Sequence, residues 1–511
     1  MIPCIEIIKG KPGWIKILTQ EGIPFRIFTP GDNPPVLIVD TLTNDADIMD
    51  YLREGGTIIT SLQSAGKLLG KTSRRTKIKY IIPDSSEFFR NVGIIDVYDS
   101  GFVLQGNGFG RINNNVPAIH ELSYNKGICI GIPFDVDSLM CDKRSMMKFF
   151  CSQTGKFPTE TVSTTSKAEI RKLIVNIIRY LFKKKNFYYI NKWYYPGEKQ
   201  SAFTFRIDTD ASGFDGILKT FAIARKANVN FTFFIDFSNI NIENTIQRFK
   251  ELRNQELAVH CFEHKISKDP VLNRKNFSRA RRALFSVGFG ATGIAIPYGI
   301  WNNTLGILLD ELGFKYSSEF SLSYDDLPFF PLIDNKFSRV LQIPVHPISP
   351  GSLLYSKFTT DEIDHYFKNI IQKKLESNEP LFFYGHSKVL SSEPTILKNI
   401  LHTIEEKQNI WKGTYIEFYN WWIQRNKQHL EMTIDGDMLK IKGVDKKTGL
   451  SLQIIAPSAK KAVVCASDEI NLKELDFSQV PKIEPFNRNE LRTKKRALKL
   501  RFKEIENWIK R

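Results

Sequence analysis

Three short stretches carry side chains whose types and spacing could do hydrolytic chemistry. The first, TFRIDTDAS, sets Arg206, Asp208 and Asp210 two residues apart at the end of an apolar run. The second, ELAVHCFEH, places His260 and His264 four residues apart in a chain with only 8 histidines. The third, LFFYGHS, ends on His386. Period-two alternation puts Arg206, Asp208 and Asp210 on one side of a strand. The H-x3-H pair converges on one ion if its segment turns helically. One aspartate plus two histidines leaves a coordination position open, as in catalytic rather than structural zinc. Taken singly, a histidine is most often structural and a DxD is often a solvated turn. Here each group follows a strand in succession, where active sites of α/β folds form.

The elements that must position these groups are βα units. From Ser201 the chain alternates: SAFTFRIDTD reads as a strand, GFDGILKTFAIARKAN as a helix, VNFTFFIDF as a strand, TIQRFKELRNQ as a helix, ELAVH as a strand, SRARRALFSVG as a helix, TGIAIPYG as a strand with a turn, and NTLGILLDELG as a helix. RVLQIPVHP and EPLFFYGHS are two later strands. The count suits a barrel or a large open sheet, with TYIEFYNWWIQRN as a closing helix. Upstream, PPVLIVDTLT, TIITSL and KGICIGIPFDV read as strands and DADIMDYLREGG as a helix, predicting a parallel sheet covered on both faces. Cys129 inside its apolar run reads as a buried structural cysteine. LFKKKNFYYINKWYYPGEKQ closes a helix begun near Lys167 and then reads as a linker whose rings pack. After His429, alternating apolar residues with DGD and KTG turns predict antiparallel strands to about Pro481. The segment 482–511 reads as a basic helix, suited to packing on the protein or to peripheral contact with a membrane surface. The expected division is therefore 1–182, 200–427, 428–481 and 482–511.

Composition limits the classes. The 511 residues imply more than one domain. A hydrophobic share of 42% and charged share of 25% are those of a globular protein. The formal charge of +17 permits anionic partners. It is spread along the chain rather than blocked, so no nucleic-acid partner is expected. No signal peptide and no transmembrane run are read, and six scattered cysteines without a CxxC fit a reducing compartment, so a cytoplasmic location is expected. Oligomeric state is not readable from these features.

In order, TFRIDTDAS, NFTFFID, ELAVHCFEH, AIPYGIWN and FFYGHS resemble the motifs of the polysaccharide deacetylase family, carbohydrate esterase family four, over about Ser201–Arg425. The resemblance implies a distorted or partial (β/α) barrel and a hydrolase that removes acetyl groups from carbohydrate with one divalent metal ion, zinc being the expected one. It implies Asp208 as catalytic base, Asp210, His260 and His264 as metal ligands, and His386 as catalytic acid. Pro297 and Tyr298 would line the substrate groove, with the Tyr298 amide helping to hold the oxyanion. The strand, helix, GGT, strand pattern of the N-terminal region is similar to the flavodoxin-like domain of class I glutamine amidotransferase relatives.

Two positions depart from the family pattern. The sequence has DTD where the family usually has DDG, so either Thr209 or Asp210 fills the metal-binding slot; Asp210 is preferred because threonine supplies no anionic ligand. Ala295 stands where the family has an arginine that pairs with the base; Arg206 could replace it or be a surface residue. Trp301 could stack on a sugar or sit in the core. Asp325 and Asp326 could shape the sugar site or form an acidic turn, and His346 could face the pocket or be structural. The expected function is deacetylation of an N-acetylated amino sugar in a polysaccharide, glycolipid or precursor. The alternative is a catalytically inactive carbohydrate-binding protein on the same fold.

Overall fold

The computed structural model describes residues 2–40, 46–113, 115–150, 156–240, 245–480 and 502. The chain forms two compact units. The expected helix at 482–511 lies outside the described residues, apart from Phe502.

The first unit gathers, in its described part, residues within Met1–Asp142, Thr164–Glu198 and 423–480. Among the described residues its main sheet has nine strands and is mixed, not wholly parallel. Phe25–Ile27, Ile5–Ile7, Leu37–Ile38, Thr57–Ser61 and Gly127–Ile132 run parallel. Val116–Tyr124, Phe109–Ile112, Arg74–Ile82 and Ile95–Val103 extend it antiparallel. Leu37–Ile38, Thr57–Ser61 and Gly127–Ile132 fall in the apolar runs that read as strands; Ile5–Ile7 and Phe25–Ile27 fall in no run read as a strand. Arg74–Ile82 mixes exposed Arg74, Arg75, Lys77 and Lys79 with buried Ile78, Ile81 and Ile82. Cys129 is fully buried in its strand, and burial pushes its thiol up to about 12. Tyr189–Lys192, expected as linker, is a strand paired antiparallel with Ser451–Ile455. Trp193, Tyr194 and Tyr195 beside it are buried. The residues after His429 form antiparallel strands, including Glu431–Asp435 with Met438–Lys442 and Ser451–Ile455 with Lys460–Cys465.

The second unit comprises Lys143–Ser163 and Lys199–Trp422 in its described part. Its parallel sheet runs Leu341–Gln342, Tyr316–Ser317, Gly293–Ile294, Glu256–Cys261, Thr232–Asp236, Ser201–Asp208, Leu381–His386, and Ile410–Lys412 pairs with the start of Ser201–Asp208. The sheet curls towards closure: the His346 N–H, beyond Gln342, donates to the Phe382 carbonyl at 2.8 Å. Every residue of Ser201–Asp208 is buried, as in a central strand covered on both faces. Its charged side chains, Arg206 and Asp208, are at its carboxyl end. Between strands, helices start at side-chain caps, such as Asn302 before Asn303–Leu312 and Thr359 with Glu362 in a capping box before Thr360–Glu376. Phe203, Phe205, Ile207, Phe231, Phe233 and Ile235 lead the core that holds the strands rigid.

The unit also contains a hairpin from upstream in sequence. Ser145–Phe149 and Thr159–Ser163 pair antiparallel, and the Ser163 N–H donates to the Phe320 carbonyl. Among the described residues, no helix is long and apolar enough to cross a membrane.

Candidate active site

The carboxyl ends of three strands in register bring the first groups together. Asp208 lies opposite His386 on one neighbour and Phe234 on the other. Arg206 and Asp208 point the same way, as period two requires. The guanidinium makes a fork with the carboxylate, Nε to Oδ1 and Nη2 to Oδ2, both at 2.7 Å. Its remaining arm donates to the Ser318 carbonyl. Phe234 and Tyr384 rings lie 5.3 and 5.5 Å from its Cζ. Both members of the pair are buried, at 1% and 3% exposure. Burial pushes the Asp208 carboxyl up, but the charge and hydrogen bonds of Arg206 outweigh it and hold Asp208 below the usual aspartate value.

Asp210 follows in a turn, and its Oδ1 is buried without a hydrogen-bond partner. His260 Nε2 is 3.9 Å and His386 Nε2 3.7 Å from that oxygen. These separations are too long for hydrogen bonds. His260 Nδ1 lies 2.6 Å from the Ala295 carbonyl, which can only accept, so Nδ1 carries the proton and Nε2 is left as a ligand. Burial holds His260 below its ordinary pKa, against the opposing pull of Asp208 and Asp210.

His264 reaches the same place through a bend, not the helical turn expected from the spacing. The bend is pinned at both ends. Asn276 accepts from the Phe262 and Glu263 N–H groups, and Ser238 Oγ accepts from the His264 N–H. The His260 and His264 rings are 5.1 Å apart. Asp210, His260 and His264 offer ligand atoms that all lie within 4.8 Å of one another, and so do Asp208, Asp210 and His386. The second grouping includes a carboxylate already committed to a guanidinium, so the first is the better cation cradle. An orphaned carboxylate oxygen beside two imidazoles is a donor set suited to a divalent ion such as zinc. Thr209 faces away: its Oγ1 accepts from the Asp236 N–H and donates to the Phe234 carbonyl.

Tyr298 sits in a Pro297–Gly299 turn at φ 63°, a left-handed conformation rare outside glycine. Its ring packs 4.9 Å from that of His264. Ala295 is buried and, through its carbonyl, orients His260; it leaves the base to be paired by Arg206 from the base's own strand.

Arg206, Asp208, Asp210, His260, His264, Tyr298 and His386 all line one pocket of about 500 Å³. Pro297 is buried in the same turn as Tyr298 and does not line the pocket. Like Pro297, four further residues expected to bind substrate do not line it. Trp301 is buried against Leu322, Phe329 and Ile333, a small apolar cluster that leaves no ring face for a sugar. Asp325 is committed to Lys374 Nζ at 2.7 Å and His346 Nδ1 at 3.0 Å. His346 Nε2 is satisfied by the Tyr366 hydroxyl at 3.0 Å. Asp326 caps its own loop through Ser323 and Leu327.

Sequence reasoning missed Phe320, Tyr384, Tyr355 and the hairpin residues Thr159–Thr161, which also line the pocket. Tyr384 was legible, since it stands two residues before His386 on the same strand face. The hairpin was not, because nothing in its spacing ties it to a strand about fifty residues on. Glu319 was also missed. It is fully buried, accepts from the Ile296 N–H at 3.0 Å and so secures the turn that follows Ala295.

No protein-family model and no curated protein sequence matches the chain. Solved structures are similar over less than half of it. Puue allantoinase is 14% identical over 45% of this chain and 93% of its own, with a TM-score of 0.38. A family 4 carbohydrate esterase from Streptomyces lividans, in complex with acetate, is 14% identical over 42% and 93%, with a TM-score of 0.30. A CE4-family pseudoenzyme from Bacillus anthracis is 14% identical over 44% and 66%, with a TM-score of 0.30. At such identities and scores these likenesses carry no reading of activity.

Proposed function

We propose that the chain is a metal-dependent deacetylase that hydrolyses the N-acetyl group of an amino sugar. The observation that carries this reading is one pocket in which an arginine-locked carboxylate, a carboxylate–imidazole cradle and a half-exposed histidine converge. Asp210, His260 and His264 would hold a divalent cation. When bound, such an ion supplies Lewis acidity that eases ionisation of water and polarises the acetyl carbonyl.

The chain's own residues supply the proton transfers. Asp208 stays ionised across neutral pH because of Arg206, and its remaining lone pairs accept a proton from the attacking water. Arg206 fixes the carboxylate in one orientation, so no rotamer search precedes the transfer. His386, when protonated, delivers a proton to the departing amine, and the carbon–nitrogen bond breaks to give acetate and a free amino sugar. The Tyr298 ring packs against His264, and the amide of this left-handed turn would help to hold the oxyanion. The fork from Arg206 supplies the partner for the base that Ala295 cannot, which weighs against a silent binding module.

Metal analysis of the purified protein, coupled to acetate release from a panel of N-acetylated sugars, tests the reading. His264→Ala should lose metal and activity together. Wild type that holds metal and binds glycan yet releases no acetate from any sugar would replace the enzyme with a carbohydrate-binding protein.

A further inference from the structure

The candidate base and metal ligands stand at the ends of two strands and on the bend at His264. One residue outside the pocket reaches all three places. Asp236 ends the strand Thr232–Asp236, is 1% exposed and does not line the pocket. Its N–H donates to Thr209 Oγ1 at 2.8 Å, and Thr209 lies between Asp208 and Asp210. Its Oδ1 accepts from the Cys261 thiol at 3.3 Å, and Cys261 follows His260. The same oxygen accepts from the Ser238 hydroxyl at 2.6 Å and the Ser238 N–H at 2.9 Å. Ser238 Oγ in turn accepts from the His264 N–H at 2.8 Å. Asp236 Oδ2 is buried without a hydrogen-bond partner, so all the carboxylate's hydrogen bonds run to segments that carry or hold the ligands.

Strand pairing sets up these contacts. Ile235 lies opposite Val259 and Asp236 opposite Cys261, which leaves His260 as an extra residue with no opposite number. Such a bulge re-aims the side chains beside it. The two histidines are then held by different means. His260 is fixed at its ring, through Nδ1 and the Ala295 carbonyl. Among the described residues, the hydrogen bonds of His264 are all at its backbone. Its imidazole therefore inherits its place from the backbone, with ring packing against His260 and Tyr298. A hydroxyl has one hydrogen to give. Ser238 gives it to Asp236, which leaves a lone pair for the His264 N–H. Ser238 is exposed, so without the carboxylate its hydroxyl is free to turn to solvent.

Building on the proposed metal-dependent reading, we infer that Ser238, oriented by Asp236, is a positioning residue. It sets the divalent-cation affinity of the Asp210, His260 and His264 cradle through the backbone of His264.

The test uses the full chain, stripped of metal and titrated with zinc against a chelating dye. Cobalt in place of zinc reports ligand geometry through its visible spectrum. Ser238→Ala should weaken zinc binding about 10–100-fold, the usual scale for losing a group that orients a ligand, and shift the cobalt bands. The melting temperature of the metal-free variant should change little, because the position is exposed. Ser238→Thr keeps the hydroxyl and should bind within about threefold of wild type. Asp236→Asn keeps an accepting oxygen and should stay closer to wild type than Ser238→Ala does. In the His264→Ala background, titrated at higher zinc, Ser238→Ala should cost less than about twofold more, because the two act as one unit. Equal zinc affinity in wild type and Ser238→Ala, no recovery in Ser238→Thr, or a full additional loss in the His264→Ala background would overturn the assignment. Weaker binding by Asp236→Asn than by Ser238→Ala would replace orientation with bare charge and do the same. A wild type that takes up no zinc would sink both this role and the metal-dependent reading. Acetate release is scored separately: zinc binding that depends on Ser238, without release from any sugar, would leave the positioning role standing and sink the deacetylase.

Discussion

The second unit contains two clusters built from the same residue types, and they serve different ends. In one, Asp210 and His386 stand beside the Arg206–Asp208 pair. In the other, Asp325 is gripped by His346 and Lys374. His386 is 32% exposed and opens on the pocket, while His346 is 4% exposed with both ring nitrogens partnered. Asp210 Oδ1 has no hydrogen-bond partner; both Asp325 oxygens do. A cluster whose donors and acceptors satisfy one another is structural. One with a buried unpaired oxygen and an accessible imidazole has capacity left over for a ligand. Residue type alone does not separate the two; completeness of pairing does.

The two histidines give the sharpest contrast. His386→Ala should cut acetate release by about 10²–10⁴-fold, the usual scale for losing a general acid, with little change in melting temperature. His346→Ala should do the opposite. Removing one partner from a buried charged network costs about 3–5 kcal/mol, read as a drop in denaturation midpoint, while turnover per folded molecule stays near wild type. Equal loss of activity in both would erase the distinction.

Acid should also separate paired from unpaired groups. Asp208 and Asp325 are both held below the ordinary aspartate value. For each, burial raises the pKa and adjacent cations more than offset it. Their contribution to stability is therefore complete above the unfolded value of about 3.9 and is lost as pH falls through the lower folded value. Activity that needs ionised Asp208 should share that acid limb. Arg206→Ala leaves the carboxylate buried without its partner, so the limb should rise by about 1–3 pH units, measured as kcat/KM against pH. A limb that does not move would remove Arg206 from its positioning role.

Glu319 offers the smallest effect and the opposite sign. Burial pushes its carboxyl up from 4.5 to about 7, so the folded protein holds a proton that the unfolded chain releases. Stability should fall as pH rises between those values, by up to about 3 kcal/mol. Glu319→Gln, which keeps an acceptor for the Ile296 N–H, should flatten that slope in urea titrations across the window. A slope unchanged in the variant would assign it to other groups.

Much of the site was legible because strands are short, periodic and buried. Alternation placed Arg206 and Asp208 on one face, and the apolar run before each polar group marked a strand end. The bend at His264 was not legible, because Asn276 and Ser238 impose it from a helix and a loop distant in sequence. In the first unit, Leu37–Ile38, Thr57–Ser61 and Gly127–Ile132 were visible as apolar runs, whereas the short strands Ile5–Ile7 and Phe25–Ile27 were not. The antiparallel strands Arg74–Ile82 and Ile95–Val103, charged on their exposed face, gave no comparable signal.

The sequence by itself determined the alternation of strands and helices, the order of the candidate motifs, and the presence of every side chain the proposed chemistry needs. Those features are written in local periodicity and residue type, which the backbone reads within a few positions. Tertiary structure alone decided which candidates share a pocket. It sealed Asp325, Asp326, His346 and Trp301 among partners of their own, and brought Thr159–Thr161 from upstream to the pocket wall. The reason is that access and hydrogen-bond satisfaction depend on all the neighbours a side chain meets, and most of those neighbours are far away along the chain.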